Sequence, residues 1–255
     1  MLGTVTKAGR VLDLFTVANP EWGVREVAQR LQIPTSSAHG LLATLSEIGL
    51  MRKSPTGRYR LGWRIVELNR TLVDTTAFLS EAQPILRQLA DCLSATAELG
   101  ALRRHNVAIL DRVVGGPTGP QAAASADATT AAHTSAIGQA LLAHSKPEVL
   151  DSLIWRLSSR PGNACAAAAA DLRAGLDAVR LRGVAFDIER TEPDRCSVAA
   201  PIRDTDGGVH TALGLTVPAL SFRRNREVLT RSVERAATHI SRNARSAGRS
   251  TVSAR

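Results

Sequence analysis

Cysteine and aromatic residues are scarce in this chain of 255 residues. Its three cysteines, Cys92, Cys165 and Cys196, are widely spaced and form no C-x-x-C unit, which argues against a disulfide framework and a zinc site. One tyrosine and four phenylalanines leave few rings for stacking single-stranded bases. No apolar run approaches the roughly 20 residues that span a bilayer, and the N-terminus lacks a signal-peptide pattern, so we expect a cytoplasmic protein. We also expect it to hold no metal or cofactor.

Positive charge is concentrated at the two ends of the chain, within a net charge of +9. Residues 1–65 carry nine Lys and Arg against four Asp and Glu, and residues 221–255 carry nine against two, whereas residues 66–220 carry 14 against 17. A basic head on a mildly acidic body is typical of a polyanion-binding module joined to another domain. A solvated basic surface would give the same balance, and the polar tail at 246–255 is predicted to be disordered.

Apolar spacing predicts three short helices in the first fifty residues. The first covers about 5–15, the second about 24–31, and the third begins after Pro34 and ends at Gly49. The predicted core face of the third helix comprises Ala38, Leu41, Leu42, Leu45 and Ile48.

Two short runs around the turn residues 54–57 then predict a β-hairpin that bears several cations. Three helices followed by a basic hairpin are what a winged helix-turn-helix requires, with the third helix in the DNA major groove and the hairpin on flanking phosphates. The outer face of the third helix is small and polar, so its hydroxyls, imidazole and methyl groups would contact base edges, while Arg25, Arg30 and the hairpin would neutralise phosphates. The predicted DNA-binding residues are Arg25, Thr35, Ser36, Ser37, His39, Gly40, Thr44, Arg52, Lys53, Arg58 and Arg60.

After a predicted connecting helix, strands paired in sequence alternate with helices, which predicts an α+β domain with a mainly antiparallel sheet. We expect a winged helix-turn-helix domain at 1–62, a linker helix at 63–78, the α+β domain at 79–245 and the tail at 246–255. Dimer contacts or intramolecular packing would explain the apolar residues of the linker, which are Trp63, Ile65, Val66 and Leu68.

The segment "GVREVAQRLQIPTSSAHGLLATLSEIGLMRKSPTGRYRLG" resembles the DNA-binding head of the IclR family of bacterial transcriptional regulators. "HTSAIGQALLA" and "CSVAAPIRDTDGGVHTALGLTV" resemble two further segments of that family in the same order. The resemblance implies a GAF-like C-terminal domain that encloses a small effector, often an organic acid. It also implies a homodimer or tetramer on a pseudo-palindromic operator, acting more often as a repressor.

The resemblance also implies where the effector binds. Asp187 matches a pocket aspartate, Gly214 and Thr216 match two strand positions, and Ser197 stands where the family has a cysteine. The start of the helix near 133 would form the other wall, since Thr134, Ser135 and Ala136 present N–H groups and hydroxyls that suit a carboxylate, although helix capping explains the same residues.

Three positions depart from the family pattern. Gly40 stands where arginine is common, and a glycine within a helix costs about 1 kcal/mol relative to alanine; we expect altered operator specificity. Gln139 and Thr129 replace cations near the predicted pocket, so we expect either an effector that is less acidic than is usual in the family or no response to an effector.

Two other function classes stay open at this stage. The basic head and tail would also suit a nonspecific nucleic-acid-binding protein. An enzyme would need a base and an orienting residue from His105, His133 and Asp111, with Ser135, Ser197 or Cys196 as the nucleophile. No G-x-S-x-G elbow, zinc motif or phosphate loop supports that alternative, so we expect no enzymatic activity.

Overall fold

A computed structural model describes residues 3–75, 77–116, 130–159, 165–204 and 206–252. The chain divides into two compact units, Met1–Thr76 and Ala77–Arg255. None of the described helices is both long enough and apolar enough to cross a membrane.

The first unit contains three helices, a two-stranded hairpin and a fourth helix. These are α1 (Gly3–Leu12), α2 (Val24–Leu31), α3 (Thr35–Glu47), β1 (Met51–Lys53), β2 (Tyr59–Leu61) and α4 (Arg64–Thr75). Its core forms where the apolar stripes of α1 to α3 meet under the hairpin, around Val11, Val27, Leu42 and Tyr59. This is the predicted winged helix-turn-helix arrangement.

The second unit is built on a six-stranded antiparallel sheet with strand order β5-β4-β3-β8-β7-β6. Its elements are α5 (Ala77–Leu93), β3 (Thr96–Arg103), β4 (Asn106–Val114), β5 (Thr130–Ala131), α6 (Ala136–Leu142), α7 (Pro147–Ser158), α8 (Cys165–Arg182), β6 (Ala185–Ile188), β7 (Arg195–Arg203), β8 (Val209–Pro218) and α9 (Ala219–Val252). The α+β class and the antiparallel sheet are confirmed.

Helices cover both faces of this sheet, so each face has its own core. On one face α5 and α9 pack on strand residues that include Leu99 and Leu213. On the other, α6, α7 and α8 pack around Ile137 and Leu153. Because neighbouring strand residues point to opposite faces, polar residues on the second face do not interrupt the first core.

Two expectations differ from the structure, and one helix was not predicted. Ile48 was expected in the core but is 43% exposed, because it follows the last turn of α3 as its C-cap. No prediction covers α7, which begins at Pro147, a residue that the first position of a helix tolerates because no N–H is needed there. The predicted disordered tail starts at 246, whereas α9 continues to Val252, since extending an existing helix requires only one more fixed residue per hydrogen bond.

Candidate DNA interface and ligand cavity

The outer face of α3 is open to solvent along its length. Its core side is fixed by Ala38, Leu42 and Leu45, all buried, so the helix has one possible orientation on the unit. The exposed residues of α3 are Thr35, Ser36, Ser37, His39, Gly40, Ala43, Thr44 and, in its last turn, Glu47. A Cβ built on Gly40 meets no atom within 4 Å, so packing does not require a glycine there.

Two arginines of the hairpin are held by the first unit itself. Arg58 donates from Nη1 and Nη2 to the two carboxylate oxygens of Glu26, at 3.0 and 2.7 Å, and to the backbone oxygen of Glu21 at 3.2 Å. Glu26 also accepts the N–H of Gly23 at the start of α2. The Arg58 guanidinium, followed by this N–H, lowers the pKa of Glu26, and Arg60 pairs with Glu21.

These contacts join the hairpin to the start of α2. Trp22 and Tyr59 exchange backbone hydrogen bonds of 3.0 and 2.8 Å, so a single β-bridge holds the segment before α2 beside β2. Much of the charge of Arg58 is therefore already neutralised. In sequence, the partners of Arg58 lie 32 and 37 residues away, which no local pattern shows.

Other predicted phosphate-binding cations are open. Arg25 and Arg30 on α2 are exposed and form no ion pair with any residue that the structure describes. Arg52 and Lys53 on β1 are exposed as well, and each lies near an aromatic ring: the Arg52 guanidinium is 5.4 Å from the centre of the Trp63 ring. These four side chains are therefore open to solvent.

A cavity of about 230 Å³ lies in the second unit, on the α6 side of the sheet. It opens against one end of β3, β4, β6, β7 and β8 and the start of α6. Its lining residues are Thr96, Glu98, Val107, Ile109, Arg112, Thr130, Ser135, Ala136, Ile137, Asp187, Thr191, Glu192, Arg195, Ser197, Gly214 and Thr216.

One row of polar side chains crosses four neighbouring strands along this cavity. Asp187 on β6 pairs with Ser197 on β7, which pairs with Thr216 on β8, which pairs with Thr96 on β3. The hydroxyl oxygens of Ser197 and Thr216 are 2.8 Å apart. The N–H of Arg190 donates to Asp187, whose side chain is buried, at 2.9 Å. A ligand against this row would meet hydroxyls and one carboxylate.

The adjacent row explains why the polar row is uncovered. There Ala199 pairs with Gly214, and small residues at this level let α6 approach the sheet closely. A Cβ added at Gly214 would lie 2.7 Å from a side-chain carbon of Ile137. Helix α6 therefore rests on the small row, and the polar row beside it borders the cavity.

Two arginines that were not predicted from the sequence also line the cavity. Arg112 on β4 forms an ion pair with Glu98 on β3, its direct partner in the strand register. Arg195 lies between Glu192, at 3.4 Å, and the hydroxyl of Thr96, at 3.4 Å. Alternation of polar and apolar residues in β3 and β7 could have shown which side chains face the cavity. The bulge that shifts the register between β3 and β4 hides the pairing of Arg112 with Glu98 from the sequence.

Six of the seven predicted effector residues line this cavity: Ser135, Ala136, Asp187, Ser197, Gly214 and Thr216. Thr134 does not, because its hydroxyl donates to the backbone oxygen of Ala131. The Ser135 hydroxyl caps α6 by accepting the N–H of Gly138. Gln139 donates to the backbone oxygen of Thr134 and Thr129 lies outside the described residues, so the cavity's cations come from other positions.

The residues considered for an enzyme are dispersed. Cys196 is fully buried on the opposite face of the sheet, and burial raises the pKa of its thiol. The Nε2 atom of His105 lies 3.1 Å from the hydroxyl of Ser152. Among the described residues, the His105 ring forms no hydrogen bond or ion pair with Asp111, Ser135 or Ser197, and no cluster of three or more His, Cys, Asp and Glu could hold a metal ion.

Two family models match the chain. The IclR helix-turn-helix domain matches residues 4–55, and the bacterial transcriptional regulator IclR C-terminal domain matches residues 70–242. Together they span both units and include the α3 face and the cavity.

Relatives of similar length support the match. The chain is 29% identical to the HTH-type transcriptional regulator BhcR of Paracoccus denitrificans, over 86% of this chain and 79% of that protein. It is 30% identical to the HTH-type transcriptional regulator Rv1719 of Mycobacterium tuberculosis, over 86% of this chain and 85% of that protein. The fold is shared with an IclR homologue from Microbacterium hydrocarbonoxydans in complex with 4-hydroxybenzoate, at 23% identity and a TM-score of 0.76, over 95% and 99% of the two chains. This chain therefore belongs to the IclR family of bacterial transcriptional regulators.

Proposed function

We propose that this protein is a transcriptional regulator that binds a specific site on double-stranded DNA and acts as a repressor. The observation that carries the proposal is the solvent-exposed polar face of α3, held by a buried core beside a basic hairpin. Hydroxyls, an imidazole and methyl groups on one helix face are suited to base edges in the major groove. Arg25, Arg30, Arg52 and Lys53 supply the phosphate contacts that give most of the affinity.

We also propose that the active species is a homodimer or tetramer in the cytoplasm. A helix-turn-helix dimer reads two half-sites roughly 34 Å apart, so the operator would be pseudo-palindromic. Three apolar side chains of the linker region support self-association: Trp63 is 71% exposed, Val66 58% and Leu68 51%. Sedimentation velocity tests this directly, and a monomer at operator-binding concentrations would contradict it.

The proposed effector is a small organic acid bound in the cavity of the second unit. Two guanidinium groups and several hydroxyls line a space slightly smaller than the roughly 300 Å³ at the lower end of ligand pockets, which fits a small polar molecule. The 4-hydroxybenzoate complex of the Microbacterium homologue gives a first probe. Binding would regulate DNA affinity by shifting the population of head arrangements that fit the operator, with α4 as the connection.

The experiment is fluorescence anisotropy of the full chain on the duplex upstream of its own gene, with excess unrelated DNA. We expect preferential binding that a His39→Ala, Thr44→Ala double variant weakens. Arg173→Gln, on the exposed surface of α8, is the matched control and should bind as the parent does. Equal binding by the double variant and the parent would refute the proposed α3 contacts.

A salt titration separates this function from nonspecific binding. Specific binding keeps a preference for one duplex as total affinity falls with salt, whereas nonspecific binding loses affinity for both duplexes together. Isothermal titration with acids and neutral analogues tests the effector class, and tight binding of neutral compounds alone would contradict it.

A further inference from the structure

The ion pair between Glu98 and Arg112 leaves one carboxylate oxygen and one guanidinium nitrogen without a partner among the described residues. Both side chains line it, and both are largely buried, at 13% and 22% exposure. The Nε and Nη2 atoms of Arg112 both contact the same oxygen, Oε1 of Glu98, at 2.5 Å. No described residue donates to Oε2 of Glu98 or accepts from Nη1 of Arg112.

The other charged side chains that line the cavity do not make it favourable for an anion. Arg195 is already paired with Glu192, and Asp187 adds a third carboxylate to the lining. Three carboxylates against two guanidiniums leave the described lining with one negative charge. A ligand with only a carboxylate would enter a site of its own sign, and repulsion between like charges is stronger in a partly buried site than in water.

From this arrangement we propose that Glu98 makes the cavity selective for acids that also carry a hydroxyl or amino donor. The inference rests on the proposed effector function and specifies its ligand. The carboxylate of such a ligand accepts from Arg112, and its O–H or N–H donates to the open oxygen of Glu98. An acid without that donor leaves a buried carboxylate oxygen unsatisfied, which is costly.

Matched ligands of equal size test this on the unmodified full chain. Isothermal titration compares lactate and alanine with propionate, and 4-hydroxybenzoate with benzoate. We expect at least one donor-bearing acid to bind about tenfold more tightly than its plain counterpart, as expected for a hydrogen bond to a charged group. Tighter binding of alanine than lactate identifies an amino donor, and the reverse order identifies a hydroxyl.

Failure of the selectivity differs from failure of the effector proposal. Equal affinities for the members of each pair overturn the role of Glu98 and leave the organic-acid effector in place. If none of these acids binds while neutral analogues do, both proposals are overturned together.

A charge-removing variant locates the selectivity. In Glu98→Gln the amide oxygen stays with the Arg112 donors and an amide N–H₂, which donates and cannot accept, replaces the open oxygen. We therefore expect the preference within each pair to fall to about onefold, and propionate to gain about tenfold because a like charge is removed. Asp151→Asn, an exposed carboxylate on α7 that pairs with Arg173, is the control and should keep the preference. An unchanged preference in Glu98→Gln overturns the assignment; should this variant unfold, the comparison of ligands on the parent chain decides alone.

Discussion

Replacing Gly40 with alanine separates the stability of α3 from its contacts with DNA. Glycine in a helix interior is less favourable than alanine by about 0.8–1.0 kcal/mol. No steric term opposes the change, because a Cβ at this position meets nothing within 4 Å. We therefore expect Gly40→Ala to stabilise the first unit by about 1 kcal/mol, which raises the Tm of a domain of this size by roughly 4–8 °C.

Thermal unfolding, followed by circular dichroism in the helical band at about 222 nm, measures the change in Tm. Ala43→Gly places the reverse change on the same exposed face and should lower the Tm by a similar amount. Gly175→Ala in α8, another open helical glycine, should stabilise without altering DNA binding. A lower Tm for Gly40→Ala would refute the reasoning, because it would mean that the backbone or surroundings of this position require glycine.

Further predictions concern the hairpin, the cavity and one histidine. Arg52→Gln should reduce the slope of log K for DNA binding against log salt concentration by about 0.9. Arg58→Gln should leave that slope almost unchanged and increase hydrogen exchange in the hairpin. Equal slope changes in the two variants would contradict the pairing of Arg58. Gly214→Ala should weaken effector binding by displacing α6, and adding Ile137→Val should partly restore it, as titration calorimetry would show. Burial lowers the pKa of His144, so the unfolded chain takes up a proton first as the pH falls. The free energy of unfolding should therefore decline below about pH 6.5, and this decline should be smaller in His144→Gln.

The sequence predicts the features that depend on local periodicity. The stripe through Ala38, Leu42 and Leu45 identifies both the buried side of α3 and the exposed polar side opposite it. Alternation along β7 correctly separates Ser197, on the cavity, from Cys196, in the core. In both cases the deciding pattern lies within a few residues.

Features that depend on distant pairing could not be predicted in this way. Glu98 meets Arg112 only because β3 and β4 pair across a bulge, and Arg58 meets Glu26 only after the hairpin folds back on α2. The charges of these residues alone suggested DNA contacts for Arg58 and gave Arg112 no role. The structure shows that each already has an acidic partner.

The polar row from Asp187 to Thr96 also constrains how the sheet can assemble. Three of its members come from the consecutive strands β6, β7 and β8 and the fourth from β3, about 90 residues earlier, and the four align only when all three pairings are in register. A slip of β3 by one residue would turn Glu98 toward the core now occupied by Leu99 and expose that leucine to the cavity. A misaligned sheet would thus lose its ligand site and its apolar core in the same step, so effector binding selects the correctly paired sheet and stabilises it by mass action.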